Sequence, residues 1–180
     1  MDSEAPWKER ARKVIPGGMY GHQNTWRLPD AFPQFIVKGD AGHIWDSGGK
    51  RYIDFMSSYG PIILGHVHPK VEEAVARQLK KGDCFNGPST VIVELAEKMT
   101  GMVDHADWGI FAKNGTDATT ICVTVARSYS GKQKLLVAEN AYHGSAPWCT
   151  PLLQGTTQED KAHLIHYEFN NIESLDGAIR

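Results

Sequence analysis

The sequence predicts an α/β protein in which a small antiparallel lobe precedes a large domain with a mostly parallel sheet. Between about residues 35 and 55, three β-prone pieces alternate with the turns GDAG and DSGG, a pattern typical of an antiparallel meander. Residues 108–139 then give an apolar piece, a segment with helical periodicity and a second apolar piece, together the size of a βαβ crossover. We therefore assign residues 1–68 to the N-terminal helix, loop and meander of the minor lobe, and residues 69–180 to the first part of the large domain.

Helical segments stand on both sides of the meander. The charged stretch SEAPWKERARKVI predicts a short helix that PGG ends. After the meander, HPKVEEAVARQLKKG places its apolar residues on one helical stripe, and Gly82 lies near the end of that helix. The next segment, STVIVELAEKMTG, predicts a helix with Ser89 or Thr90 as its cap and Gly101 as its stop.

The last third of the chain alternates strands and helices. WGIFA, KLLVAE and HLIHYEF are predicted strands, and NNIESLDGAIR is a predicted helix. The helix between the first two strands has an apolar face wide enough to lie on a sheet, formed by Ala118, Ile121, Cys122, Val125 and Ala126. The pattern stops on a helix that ought to feed a further strand.

The composition excludes several classes of protein. With 180 residues, 41% hydrophobic and 22% charged, the chain is expected to be globular rather than disordered. A net charge of -2 without long charged runs gives no footprint for nucleic acid or an anionic membrane. The three cysteines lack C-x-x-C spacing, and the sequence shows neither a signal peptide nor an apolar run of membrane-spanning length. We therefore expect a cytoplasmic protein.

No metal site is predicted. His66 and His68 stand two residues apart on an extended segment, so their side chains point to opposite faces. No other cluster has metal-ligand spacing. We expect both histidines to be structural hydrogen-bonding residues, and we assign no chemistry to Asp46 and Asp54.

The NGTD corner at residues 114–117 carries the first sign of function. In the simpler interpretation, Asn114 caps a helix and Asp117 occupies the N3 position. A helix N-terminus after a strand also favours a phosphate, because its N–H groups are free and Gly115 lets the backbone approach closely, while Thr116 adds a hydroxyl. Neither a Walker lysine nor G-x-G-x-x-G is present, so any ligand here carries one isolated phosphate.

A second motif, AENAYHGSAPW, follows the next predicted strand and is expected at the same edge of the sheet. It would bring the rings of Tyr142 and His143 near the phosphate corner. A single Tyr at a strand end is more often a buried aromatic residue. Together with the NGT corner, however, a flat ring predicts a planar phosphorylated cofactor. A third motif, SSYGPIILGHVHP, places Tyr59 near the boundary between the lobes.

Five motifs in order give the chain a resemblance to a known family: PGG, IWDSGGKRYIDF, YGPIILGHVHP, NGTDATTICVTVAR and AYHG. They resemble the class III pyridoxal-phosphate-dependent aminotransferases, and most of all the branch that contains glutamate-1-semialdehyde 2,1-aminomutase. The resemblance implies the fold type I of pyridoxal-phosphate-dependent transferases. It also implies a homodimer with active sites at the interface.

The resemblance also implies roles for single residues. Gly115 and Thr116 would bind the phosphate of pyridoxal 5'-phosphate, and Tyr142 would stack on its pyridine ring, with His143 beside it. Asn114 stands where the family usually has Ser, and Asp117 where it usually has Glu. The phosphate site is therefore expected to be kept with altered detail.

The resemblance implies that two further residues contact the substrate. Arg27 is the nearest equivalent of the arginine that recognises the substrate carboxylate in the aminomutase. Tyr59 replaces a frequent Trp at the pocket wall, which implies a different substrate side chain rather than a different reaction.

The activity implied is transfer of an amino group between an amino acid or amine and a keto or aldehyde acceptor, with a 2,1-aminomutase as the alternative. The family's Schiff-base lysine and its pyridinium-binding aspartate lie at positions expected beyond Arg180. We therefore expect the N-terminal portion of a longer enzyme, inactive and prone to aggregate by itself. An alternative of another class is a natural truncation that serves as a non-catalytic assembly module.

Overall fold

The computed structural model describes residues 3–19, 21–25, 27–29, 31–152 and 154–180. The chain divides into two compact units, Met1–Gly87 and Pro88–Arg180, and each is described by itself. The predicted lobe boundary after residue 68 remains a prediction. Among the described residues, we find no helix with both the length and the apolar character needed to cross a membrane.

The first unit is built around the predicted meander, which is confirmed. Its elements, in order, are α1 (Ala5–Val14), β1 (Ile36–Asp40), β2 (His43–Asp46), β3 (Arg51–Ile53) and α2 (Pro69–Leu79). The strands form an antiparallel sheet in the order β1-β2-β3. Glu4, the residue before α1, ties the helix to the start of this sheet, because its carboxylate accepts the N–H groups of Gln34 and Phe35.

The turn between β2 and β3 is fixed by the buried carboxylate of Asp46. Its Oδ1 accepts the N–H groups of Gly48 and Lys50, both at 2.9 Å, and its Oδ2 accepts the hydroxyl of Tyr52 at 2.8 Å. The Tyr52 hydrogen bond lowers the pKa of Asp46 and raises the pKa of Tyr52 to about 12. Asp46 therefore has a structural role in this turn.

The second unit alternates helices with two parallel strands. Its elements, in order, are α3 (Thr90–Thr100), α4 (Gly115–Ser130), β4 (Leu135–Ala138), α5 (Gln158–Lys161), β5 (Leu164–Tyr167) and α6 (Ile172–Ile179). β4 pairs with β5 in parallel register, from Leu135 opposite Leu164 to Ala138 opposite Tyr167. The predicted Ser89 cap of α3 is confirmed, since its hydroxyl accepts the N–H of Val91.

The strand predicted at WGIFA is wrong for the described chain. Residues 108–112 are assigned to no strand, and none of their backbone groups is hydrogen-bonded to the rest of the described residues. The first strand of the predicted crossover over residues 108–139 is therefore missing, and β4 pairs with β5 instead. An apolar, β-prone sequence becomes a strand only when a neighbouring strand supplies the partner groups.

The apolar face of α4 is consequently uncovered by the described residues. It forms an open groove of about 450 Å³ with the 108–112 segment and Tyr129. Trp108 is 67% exposed and Tyr129 is 95% exposed.

Candidate functional site

α4 begins at the NGTD corner, and its cap is the predicted one. Asn114 has an extended backbone, with φ -147° and ψ 169°, and its Oδ1 accepts the N–H of Asp117 at 3.0 Å. The amide Nδ2 of Asn114 donates to Oδ2 of Asp117 at 2.8 Å. The capping interpretation of Asn114 and Asp117 is thus confirmed, and the two side chains hold the first turn in a fixed shape.

This cap leaves two donors of the first turn available. Within the described chain, no hydrogen bond uses the N–H groups of Gly115 and Thr116. A side chain built at Gly115 would meet nothing within 4 Å, so the space around this residue is open. Free N–H groups at the positive end of a 16-residue helix are a site that favours an anion.

The loop at residues 142–145 is attached to this helix turn by threonine side chains. Oγ1 of Thr116 accepts the N–H of Ser145 at 3.1 Å. The hydroxyl of Thr119 donates to the carbonyl oxygen of His143 at 2.8 Å. Two elements far apart in sequence are therefore fixed side by side, as predicted, although the strand at residues 108–112 on which that prediction depended is not formed.

Gly144 permits the close approach of this loop to α4. The residue is buried and has a φ of +132°, a conformation that residues with a side chain rarely adopt. A Cβ at this position would lie 2.8 Å from Oγ1 of Thr116 and 3.1 Å from Sγ of Cys149. Thr119, Gly144 and Ser145 were not predicted as site residues, although the TDATT run and the Gly-Ser pair after His143 are signals that could have indicated them.

A cleft of about 610 Å³ opens between the first turn of α4 and the 142–145 loop. We call this cleft the anion corner. All five residues predicted to bind a cofactor line it, and the full lining is Asn114, Gly115, Thr116, Asp117, Thr119, Tyr142, His143, Gly144 and Ser145. Tyr142 is 71% exposed, so its ring is accessible and is not the buried aromatic residue of the simpler interpretation. Nε2 of His143 is buried without a hydrogen-bond partner among the described atoms.

The two predicted substrate residues belong to the first unit and are not among the residues that line this cleft. Arg27 is exposed in a turn, where its N–H donates to the carbonyl of Asn24. Tyr59 is 67% exposed and ends the 3₁₀ turn Ser57–Tyr59.

The two histidines of GHVHP differ in their contacts. Nε2 of His66 lies 2.8 Å from Oδ2 of Asp54, which confirms the structural prediction for His66. Nδ1 of His68 is buried and has no partner among the described atoms, so the hydrogen-bonding prediction is wrong at that atom. The described part of the chain contains no group of three or more potential metal ligands.

Comparison with known proteins supplies the context for this site. The profile of the family described as aminotransferase class-III matches residues 27–174. The aminopentol aminotransferase of Sphingopyxis macrogoltabida is 45% identical over 173 residues, which are 96% of this chain and 41% of that protein. The chain thus spans less than half the length of the relatives it matches.

Two solved structures extend the comparison. The FumI protein of Sphingopyxis sp. MTA144, in its PLP internal aldimine form, superposes with a TM-score of 0.94 at 44% identity over 98% of this chain and 43% of that one. A glutamate-1-semialdehyde-aminomutase from Pseudomonas aeruginosa PAO1 gives a TM-score of 0.79 at 22% identity over 98% of this chain and 41% of that one, which shows the shared fold alone. The fold is therefore that of the N-terminal portion of a class III aminotransferase.

Proposed function

We propose, because this chain belongs to the class III aminotransferase family, that it forms the cofactor-phosphate-binding part of an enzyme that transfers amino groups. The cofactor is pyridoxal 5'-phosphate. The amino donor is an amino acid or amine, and the acceptor is a keto or aldehyde compound.

The observation that carries this proposal is the anion corner. The free N–H groups of Gly115 and Thr116 suit a single phosphate, which is the anionic group of this cofactor. The exposed ring of Tyr142 in the same cleft offers a flat surface for a pyridine ring. The residues present therefore fit the cofactor.

Each residue of the corner has a distinct task in the proposed site. The Asn114 and Asp117 pair keeps the N–H groups of the first turn aimed in one direction. The hydroxyl of Thr116 holds the 142–145 loop through Ser145, which positions Tyr142 for stacking. His143 presents an unsatisfied Nε2 that can bind a polar group of the assembled site.

Pyridoxal 5'-phosphate, once bound, supplies an electron sink that makes the Cα–H bond of the amino donor acidic. In the proposed enzyme, the guanidinium of Arg27 binds a substrate carboxylate and the ring of Tyr59 forms part of the pocket wall. From the family resemblance, we place the lysine that carries the cofactor beyond Arg180; no lysine of the described chain lines the cleft.

The proposed assembly is a homodimer in the cytoplasm. The family resemblance supports active sites at a subunit interface. The apolar groove left open beside α4 supports an assembly that buries further surface there.

The aminomutase alternative is less supported than transamination. The relative with 45% identity is an aminotransferase, whereas the aminomutase structure shares 22% identity. A non-catalytic assembly module remains the competing proposal of a different class. It predicts that no component carrying this chain becomes covalently attached to the cofactor.

A completed enzyme tests the proposed function. In it, this chain replaces the matching segment of the Sphingopyxis macrogoltabida aminotransferase and is followed by the rest of that protein. We expect it to bind pyridoxal 5'-phosphate and to convert the aldehyde absorbance to the amine absorbance when aminopentol or another primary amine is added. Borohydride reduction and peptide mapping should then locate the cofactor on a lysine beyond Arg180. Absence of any covalent label in a folded protein would contradict the proposed function.

A further inference from the structure

The loop that ends at Gly60 has an unusual backbone. Ser57, Ser58 and Tyr59 have φ values of 45°, 52° and 64°, and Gly60 follows with a φ of 108°. Residues with a side chain rarely adopt the left-handed region, and three in succession require surrounding contacts to hold them. The contacts of this loop therefore show what the fold does to keep it in place.

Asp54 holds the start of the loop. Its Oδ1 accepts the N–H groups of Met56 at 2.9 Å and Ser57 at 3.0 Å. Its Oδ2 contacts Nε2 of His66 at 2.8 Å, and its own N–H donates to the carbonyl oxygen of Gly42. The side chain of Asp54 is 10% exposed, and the His66 contact lowers the pKa of its carboxyl group, so the acceptor stays ionised.

His66 is in turn held against the meander. Its backbone forms two hydrogen bonds with Ala41, one in each direction, at 3.0 and 2.8 Å. Its ring occupies the space that a side chain at position 39 would need, because a Cβ at Gly39 would lie 2.5 Å from Cγ and 2.6 Å from Nδ1 of His66. Gly39 therefore leaves room for a ring that supports Asp54.

We propose that Asp54 and His66 are positioning residues that fix the 56–60 loop so that Tyr59 is held in one orientation for the substrate. Gly39, the His66 ring and the Asp54 carboxylate form a continuous series of contacts that reaches the backbone of Met56 and Ser57, and the N–H of Tyr59 donates to the carbonyl of Met56 at 2.8 Å. The substrate part of this inference rests on the proposed function, in which Tyr59 contributes to the pocket wall. Asp54 thereby gains a role that its sequence position did not suggest.

Matched variants of the completed enzyme test this series. Gly39→Ala pushes the His66 ring away from Asp54, whereas Gly42→Ala adds the same methyl group in the same hairpin where nothing lies within 4 Å. His66→Leu removes the contact to Asp54. His66→Gln restores a nitrogen donor at the same number of bonds from Cβ and should rescue the loss.

Two measurements are made on each variant. We expect Gly39→Ala and His66→Leu to speed hydrogen exchange at the N–H groups of Met56 and Ser57 by roughly tenfold or more, because their acceptor is no longer held. We expect the same variants to raise KM for a bulky amine by about five- to tenfold with kcat and cofactor content changed less than about twofold, the pattern of lost substrate positioning. Gly42→Ala and His66→Gln should behave like the unsubstituted enzyme.

The outcomes are separable. Exchange in Gly39→Ala and His66→Leu equal to that in Gly42→Ala would overturn the proposal. Faster exchange with an unchanged KM would show that Asp54 and His66 hold the loop but do not position the substrate. An equal loss of kcat and cofactor content would show the same. Either result would overturn the proposed link to the substrate. If the unsubstituted completed enzyme transfers no amino group, the proposed function fails and the substrate link fails with it, while the exchange data still decide whether Asp54 and His66 hold the loop.

Discussion

The N-terminus of α4 and its apolar face differ in how many contacts they make within the described chain. At its N-terminus, Asn114 and Asp117 bond to each other, and Thr116 and Thr119 bind the 142–145 loop. Along its apolar side, the helix faces an open groove, and the neighbouring 108–112 segment makes no backbone hydrogen bond within the described residues. The proposed cofactor corner is therefore built by contacts inside the second unit, whereas the strand predicted beside α4 at residues 108–112 is not formed.

The shape of the corner and the stability of the fold therefore depend on different contacts. The corner depends on contacts between residues at most 29 positions apart, so its shape is encoded by this stretch of chain. The apolar groove needs additional surface before it contributes hydrophobic stabilisation. We therefore expect substitutions at the corner and in the groove to have different consequences in the isolated chain and in the completed enzyme.

The largest expected effect is in the groove. Val125→Asp should cost the completed enzyme about 3 to 5 kcal/mol of unfolding free energy, because a charge would be buried without a partner. In the isolated chain, the same change should reduce aggregation, since Val125 is 44% exposed there. Denaturant unfolding and light scattering measure the two effects, with Ser128→Asp on the exposed part of α4 as the control. Equal effects of Val125→Asp and Ser128→Asp would show that the apolar face of α4 does not become buried in the completed enzyme.

The next effect is at the corner, where Gly144→Ala should cost about 2 to 4 kcal/mol through a steric clash and an unfavourable φ. Gly155→Ala is the matched control, because Gly155 also has a positive φ, of +82°, but has open space around it. We expect about 1 kcal/mol for that control. The measurement is denaturant unfolding of the completed enzyme. Similar losses for both variants would show that the close approach to Thr116 is unimportant.

A smaller change should follow from Thr116→Val, which removes the acceptor for the N–H of Ser145. We expect about 1 to 2 kcal/mol of lost stability and weaker binding of pyridoxal 5'-phosphate. Thr124→Val is the control on the same helix, because within the described residues that hydroxyl bonds to the carbonyl of Thr120 alone. Unfolding curves and cofactor titration provide the comparison, and identical results for the two threonines would argue against the role given to Thr116.

The local parts of the corner could be predicted from the sequence. The spacing of Asn114 and Asp117 specifies a cap within one helical turn, and the cap formed as expected. The attachment of Ser145 to Thr116 could not be anticipated in detail, because it depends on how a loop 29 residues away folds back. The buried position of Gly144 follows from the same long-range contact.

The failures of prediction have physical causes of the same kind. The apolar WGIFA sequence has strand propensity, but strand formation requires hydrogen-bonding partners that the described chain does not provide. The left-handed run at Ser57, Ser58 and Tyr59 was unforeseen because these residue types do not favour it. Asp54 and His66 impose it through contacts that only the folded hairpin creates.

The smallest expected effect is the pH dependence of stability that arises from the hydrogen bond between Tyr52 and Asp46 in the first unit. Asp46 has a lowered pKa, so its stabilising contribution is present above the ordinary aspartate value of 3.8 and is lost as the pH falls through the folded value. Tyr52 has a raised pKa, so its contribution is complete below pH 10 and is lost as the pH rises toward about 12.

Tyr52→Phe should therefore abolish the alkaline part of this pH dependence and weaken the acidic part. Unfolding midpoints measured across the pH range, for the unsubstituted protein and the variant, test this expectation. A variant whose alkaline loss of stability matches that of the unsubstituted protein would show that the hydrogen bond between Tyr52 and Asp46 does not control it.

The central claim is that the N-terminus of α4 binds the phosphate of the cofactor, and the most direct test compares pyridoxal 5'-phosphate with pyridoxal, which lacks that phosphate. We predict that the completed enzyme binds pyridoxal 5'-phosphate at least about 100-fold more tightly than pyridoxal. Thr116→Val should weaken the binding of both compounds by a similar factor, because it loosens the loop that carries Tyr142 but keeps the N–H groups that face the phosphate, and Thr124→Val should leave both affinities unchanged. Equal affinity for the two compounds in the folded, unsubstituted enzyme would contradict the account.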